Sequence, residues 1–165
     1  MTEQTLQQAR PEDTDRLLAL YRAASRAIAA FGGAWNDEYP GADTIADDLA
    51  CDGLYVLREG DELCAAISLG EDEHEETDVA WALLAQRPCM LSRLCVTPRL
   101  QGRGLARRVM AMAEEIARSR GYDAIHLMAA KGNRMTQNIY SSIGYRVCGE
   151  VHLYDIDFIC FEKAI

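Results

Sequence analysis

The sequence predicts a mixed α/β (α+β) fold, and three stretches carry that expectation. Apolar residues Leu17, Tyr21, Ala24, Ile28 and Phe31 recur at helical spacing, so one face of that segment is buried. Leu54 to Arg58 and Leu63 to Leu69 read as strands joined by Glu59-Gly60-Asp61, a hairpin signal. Met90 to Val96, closed by Thr97-Pro98, runs through a glycine turn into an amphipathic pattern that lasts until Gly121.

Each element has a local cause. Thr5 to Arg10 reads as a first strand, and Pro11-Glu12-Asp13 then opens the first helix, with proline early and acids in its first turn. Gly32-Gly33 stops it. Trp35 to Gly41 is a loop, and Thr44 to Leu49 a short second helix. After the hairpin, six of the eight residues from Glu71 to Asp78 are acidic, a run too charged to pack and read as a solvated loop. Val79 to Leu84 extends a strand. Leu105, Val109, Met112, Ala113 and Ile116 form the stripe of the third helix. Ala124 to Met128 is a short strand, and Lys131-Gly132-Asn133 turns the chain into a last helix that Gly144 ends. Tyr145 to Val151 and Asp157 to Glu162 are the closing strands.

At 165 residues the chain is expected to form a single domain over 1–165, with 49% apolar and 26% charged residues. No apolar run approaches the roughly 20 residues of a membrane span; Arg22 and Arg26 interrupt the nearest one. The start, Met1-Thr2-Glu3-Gln4, lacks a basic segment followed by an apolar one, so a cytoplasmic protein is expected. Six cysteines at 51, 64, 89, 95, 148 and 160 form no Cys-x-x-Cys pair, and His74, His126 and His152 are scattered. They read as small buried hydrophobes and isolated histidines, with no metal site expected.

The net charge of −9 is unevenly spread. Residues 91–146 carry ten basic and three acidic groups, a net +7, which leaves −16 for the remainder. A basic segment around a glycine loop suits a ligand with several phosphates. The acidic remainder argues against nucleic acid and is compatible with a cationic second substrate.

Gln101-Gly102-Arg103-Gly104-Leu105-Ala106 is the most informative stretch. A strand feeding a glycine turn that opens a helix gathers backbone N–H groups, and the positive end of the helix dipole, at one spot. Arg107 replaces the third glycine of a dinucleotide fingerprint, and the Gly-Lys-Ser/Thr of a triphosphate loop is missing. The pattern that fits is Gln/Arg-x-x-Gly-x-Gly/Ala, read as Gln101, Gly104 and Ala106. It resembles the acyl-CoA pyrophosphate loop of the GNAT superfamily of N-acyltransferases. Asn133, 32 residues beyond Gln101, with Thr136, Ile139, Tyr140 and Gly144-Tyr145, is similar to that family's Asn-x-x-(small)-x-x-Leu-Tyr…Gly-Phe pattern. Phe158 to Lys163 resembles its closing strand.

The resemblance implies a mixed, mostly antiparallel central sheet of about six or seven strands, flanked by about four helices. It implies a cofactor cleft between splayed fourth and fifth strands, with acetyl-CoA as co-substrate. Leu94, Cys95 and Val96 would hydrogen-bond the pantetheine arm, and the N–H groups of Gln101, Gly102, Arg103, Gly104, Leu105, Ala106 and Arg107 the pyrophosphate. Asn133 would bond the arm near its thiol end. Tyr140 would donate a proton to the departing thiolate, and the Leu94 N–H would steady the oxyanion. Trp35 and Tyr39 fall in the segment that lines the acceptor pocket.

Several family members place a glutamate base on the fourth strand, where this chain has Met90; Glu38, Asp78, His126 and Glu150 are the alternatives. A lysine-type amine costs roughly 4.6 kcal/mol to deprotonate at pH 7 and an α-amine only about 1–1.4 kcal/mol, so the missing glutamate favours an acceptor of low pKa or a water-relayed base. The expected activity is acetyl transfer to a primary amine, of a small molecule before a protein N-terminus or lysine, by a monomer or homodimer. A non-catalytic acyl-CoA sensor would keep the glycine loop without needing Tyr140. A nucleotide-binding protein is the remaining reading.

Overall fold

The computed structural model describes residues 4–31, 33–72, 79 and 81–165, with Phe31 described in its backbone only. Seven strands form one sheet in the order β1-β2-β3-β4-β5-β7-β6. They are β1 (Gln7–Gln8), β2 (Leu54–Glu59), β3 (Glu62–Glu71), β4 (Pro88–Val96), β5 (Ala124–Ala130), β6 (Arg146–Leu153) and β7 (Ile156–Ala164). The helices are α1 (Thr14–Ile28), α2 (Ala42–Ala50), α3 (Leu105–Ser119) and α4 (Arg134–Ser142). Every neighbouring pair is antiparallel except β4 and β5. The mostly antiparallel sheet with four flanking helices is the expected architecture.

Alternation along β2 shows how the layers form. Leu54 and Val56 join Leu17, Leu20 and Tyr21 of α1 and Ile45 of α2 on one side. Tyr55 and Leu57 join Val109, Met110, Ala113 and Ala117 of α3 on the other, together with Tyr140 of α4. Successive side chains point to opposite faces, so a strand covered by helices on both sides must be apolar throughout.

One feature of the topology makes the site. The parallel ladder between β4 and β5 pairs Pro88 with Ala124, Cys89 with Ile125 and Met90 with His126, and then ends. Beyond it, β5 stays with β7 as far as the Ala130–Phe158 pair, so the edge of β4 from Leu91 to Val96 is left open.

The structure corrects several expectations. The first strand is only Gln7–Gln8; Ala9 N–H still reaches the Leu54 carbonyl, but Pro11 has no N–H with which to continue. The described residues of 79–84 form no strand. There the Ala82 and Leu83 amides donate to the carboxylate of Glu162, at 3.0 and 3.1 Å, in place of a ladder. Cys64, Cys89, Cys95 and Cys160 are buried, but Cys148 is only half-buried and Cys51 exposed at the end of α2. Most of the acidic run, with Asp78 and His74, lies outside the described residues, as do Gly32 and the Phe31 side chain. Among the described residues no helix is long and apolar enough to cross a membrane.

Candidate active site

Thr97 carries the chain off β4 into a single 3-10 turn, Pro98–Leu100, and on to the glycines. Gly102 and Gly104 both have φ +76°, in the left-handed region that favours glycine. Gly104 is the N-cap of α3. A Cβ built on either glycine meets nothing within 4 Å, so their exposed sides face open space. Among the described residues, the backbone hydrogen bonds outside regular elements leave the N–H groups from Gly102 to Arg107 without partners; the first one that α3 engages is Arg108, bonded to the Gly104 carbonyl at 3.2 Å. Four such orphans are inherent to a helix start, and here they open onto a cleft.

Gln101 behaves differently from its neighbours. Its N–H donates to the Pro98 carbonyl at 3.2 Å, and its Nε2 reaches the Val96 carbonyl at 3.3 Å. It shapes the loop, so the set of free amides starts at Gly102 and not at Gln101.

The loop forms one wall of a cavity of about 620 Å³. All the residues assigned to the cofactor by resemblance line it except Arg103: Leu94, Cys95 and Val96 from β4, Gln101, Gly102 and Gly104 to Arg107 from the loop and helix start, and Asn133 and Tyr140 from α4 and its cap. Asn133 is the N-cap of α4, its side-chain oxygen accepting the Thr136 amide at 3.3 Å. That bond fixes the side chain at the helix start, where it lines the cavity. Arg107 ties α3 to α4 through Nε to the Ser142 hydroxyl, 3.1 Å.

Tyr140 lines this cavity and belongs to the core as well. Its ring packs edge-on to Phe161 at 5.6 Å and tilted against Tyr145 at 5.8 Å. Burial pushes its phenol above the ordinary value, which keeps it protonated. Tyr145 donates to the buried Glu114 carboxylate at 2.9 Å, and Lys163 binds both Glu114 oxygens and the Ile143 carbonyl. These contacts hold the end of α4 against α3 and β7.

A second cavity, of about 1180 Å³, borders the earlier part of β4, Met90 to Arg93. Trp35, Ala34, Arg93, Met128 and Phe158 line both cavities and mark where they meet. Tyr39 lines the second alone, opposite the hairpin residues Tyr154 and Ile156. Met90, at the place of the family's glutamate, also lines it.

None of the expected bases that the structure describes reaches either cavity. His126 is buried on β5, stacked on Trp81 at 3.7 Å with Nδ1 2.6 Å from Asp72. Glu150 pairs with Lys131 at 3.0 Å. Glu38 is exposed in its loop, and Asp78 lies outside the described residues. The carboxylates that do line the second cavity are Asp48, Asp52 and Glu71. Hydrogen bonds from Arg87 hold Glu71 below the usual carboxylate range, and Asp48 is engaged by Arg93. No local pattern in the sequence links Arg93 and Asp48, which stand 45 residues apart in the chain.

Residues 15–145 match the Acetyltransferase (GNAT) family, and the chain belongs to that family. Among solved structures it is similar to a GNAT-family acetyltransferase from Streptococcus agalactiae 2603, with 22% identity over 98% of this chain and 95% of that one and a TM-score of 0.83. It is also similar to the PaiA N-acetyltransferase from Thermoplasma acidophilum in complex with coenzyme A, at 16% identity over 99% and 100% of the two chains, TM-score 0.73. The ribosomal-protein-S18-alanine N-acetyltransferase from Escherichia coli is 16% identical over 99% of this chain and 94% of its own, TM-score 0.70. No curated protein sequence matches this chain.

Proposed function

We propose that this GNAT-family acetyltransferase moves an acetyl group from acetyl-CoA to a primary amine of a small molecule by direct attack, both substrates being bound together. The observation that carries the reading is the meeting of two cavities beside Leu94. One is a narrow cleft ending in free amides, and the other a wider chamber with aromatic walls. The first fits coenzyme A: glycines with open space above them admit a diphosphate, and the unpaired edge of β4 accepts an extended arm as an added strand would be accepted. Bound there, acetyl-CoA supplies an activated acyl carbonyl.

The chain's own groups do the rest. Arg93 and Leu94 have no Cα partner in either ladder of β4, and the Leu94 N–H is the group that meets the oxyanion. Tyr140, kept protonated by burial, donates a hydrogen bond to the sulfur as the C–S bond breaks. Full transfer from so raised a phenol to a thiolate is uphill, so its proton moves only as negative charge localises on sulfur. The amine sheds its own proton to water, because β4 offers Met90 where a carboxylate would serve. An acceptor whose amine pKa lies near 8 suits that arrangement, since it costs only about 1–1.4 kcal/mol to deprotonate at pH 7.

Calorimetry is expected to find acetyl-CoA binding where ATP and NAD do not bind. Thiol release is then measured with an amine panel of alaninamide, phenethylamine, spermidine and an alanine-initiated peptide. Alaninamide or phenethylamine turning over fastest supports the small-molecule reading, with kcat/KM rising with pH along the acceptor's own titration. Binding of acetyl-CoA without thiol release for any amine overturns the catalytic reading in favour of a sensor. Preference for the peptide would select the second reading, a protein N-terminus, which the likeness to the S18-alanine enzyme favours.

A further inference from the structure

Arg93 sits at an unusual place for a large side chain. The register of β4 on β3 pairs Ser92 with Ser68 and Cys95 with Ala66, so three steps on β4 answer two on β3. The extra residue is a β-bulge, and Arg93 within it has φ +52°. Bulges that need a left-handed residue ordinarily use glycine. A non-glycine residue keeps that conformation only where its surroundings over-determine it.

The surroundings here are specific. Asp48, on α2, accepts from Arg93 twice, Nη2 to Oδ1 at 2.6 Å and Nε to Oδ2 at 2.9 Å. The same Oδ2 accepts from the Ser68 hydroxyl at 2.6 Å. One carboxylate thus holds β3 and β4 on both sides of the bulge. Both partners are largely buried, with 19% of the Arg93 and 15% of the Asp48 side chain exposed, so the bidentate bond is little screened by solvent. The remaining arm of Arg93, Nη1, reaches the Tyr39 hydroxyl at 3.3 Å in the wall of the acceptor chamber. The backbone of Arg93 sets the plane of the peptide that ends in the Leu94 N–H.

We infer that Asp48 and Arg93 are positioning residues for the acyl transfer: their ion pair holds the β4 bulge in the left-handed geometry that aims the Leu94 N–H at the thioester oxygen. The inference rests on the acyl-transfer reading above. It ties α2 and the Tyr39 loop, which border the acceptor, to the group that stabilises the oxyanion.

The test compares Arg93→Ala with Arg93→Gly. Both remove the guanidinium, but only glycine keeps a left-handed φ without a clamp. With acetyl-CoA and the fastest amine of the panel, R93A is expected to lose kcat about five- to thirtyfold more than R93G, the equivalent of the left-handed penalty on an L-residue. The acetyl-CoA dissociation constant and the amine KM should be alike in the two. Asp48→Asn keeps the shape of its side chain and should lower kcat, and the double variant D48N/R93G should recover to the level of R93G. Circular dichroism and thermal denaturation confirm that each variant is folded at the assay temperature. If R93A and R93G turn over alike, or if both raise amine KM with kcat unchanged, Arg93 binds the acceptor and the inference falls. A wild type that binds acetyl-CoA and releases no thiol overturns the acyl-transfer reading and this one with it.

Discussion

The two cavities meet at Arg93 and are built in different ways. The cleft proposed for the cofactor draws most of its lining from two continuous segments, Leu94 to Arg107 and Asn133 to Tyr140. Much of its chemistry is backbone: free amides at a helix start, left-handed glycines and an unpaired strand edge. The chamber proposed for the acceptor gathers Trp35 and Tyr39 from a loop, Asp48 from α2, Ser68 from β3, Arg93 from β4, Met128 from β5, and Tyr154 and Phe158 from the last hairpin and strand. Its chemistry lies in side chains. A backbone device is written into short stretches of chain, whereas a wall assembled from many elements can be changed one side chain at a time.

The largest effect that separates the two is expected at Tyr140, which faces the cofactor cleft from α4. Tyr140→Phe should lower kcat at least about a hundredfold, the lower range of a positioned proton donor. It should leave acetyl-CoA affinity within about threefold, because the ring still packs on Phe161 and Tyr145. Stopped-flow thiol release and calorimetry read the two quantities. Unaltered release would reduce Tyr140 to a core residue.

One ion pair fastens the start of α1 to β2. Asp13, at the start of α1, accepts from Arg58 of β2, with Nη1 to Oδ1 at 2.8 Å, and from the Arg10 amide at 2.8 Å. The hydrogen bonds from Arg58 hold its carboxyl below the ordinary value of 3.8. A carboxyl depressed on folding stabilises the fold above its unfolded pKa, and that contribution is lost as pH falls through the lower folded value. Asp13→Ala should cost about 3 kcal/mol at pH 7, because it leaves a partly buried guanidinium unpaired. It should also flatten the pH dependence of urea unfolding below about pH 4. An unchanged acid limb would mean that other carboxylates govern it.

The same contrast explains what the sequence disclosed. The glycine loop, α3 with its stripe and the Asn133–Tyr140 helix were legible because each is a pattern within some twenty residues. The bonds of Gln101 to Val96 and Pro98 were not legible, because they depend on the turn's exact path. Val79 to Leu84 misled because short apolar runs suit strands, while the acceptor that satisfies the backbone of Ala82 and Leu83, Glu162, lies about 80 residues away. The acceptor wall was nearly invisible. Nothing in Ser92-Arg93-Leu94 announces a bulge, and nothing near Asp48 announces its partner.

A smaller effect is expected at Gly104. Gly104→Val forces a β-branched residue to φ +76° at the N-cap of α3 and sets its side chain in the open space above the loop. The left-handed strain alone is roughly 1–2 kcal/mol. Acetyl-CoA should bind about tenfold more weakly by calorimetry, with the melting temperature lowered and the amine KM unmoved at saturating acetyl-CoA.

The smallest effect is also the sharpest test of whether the two walls are independent. Tyr39 is exposed, lines only the acceptor chamber, and touches the rest of the site through the 3.3 Å bond from Arg93. An exposed aromatic contributes a modest contact area, so Tyr39→Ala should raise the amine KM about threefold, roughly 0.6 kcal/mol by the tenfold-per-1.4 arithmetic of affinity. Acetyl-CoA affinity should stay within error, since Arg93, which lines both cavities and loses its bond to Tyr39, is still held by Asp48. A fall in kcat larger than the rise in KM would show that the loop acts through Arg93 on the β4 bulge, and that the acceptor wall shapes the catalytic amide as well as the substrate's place.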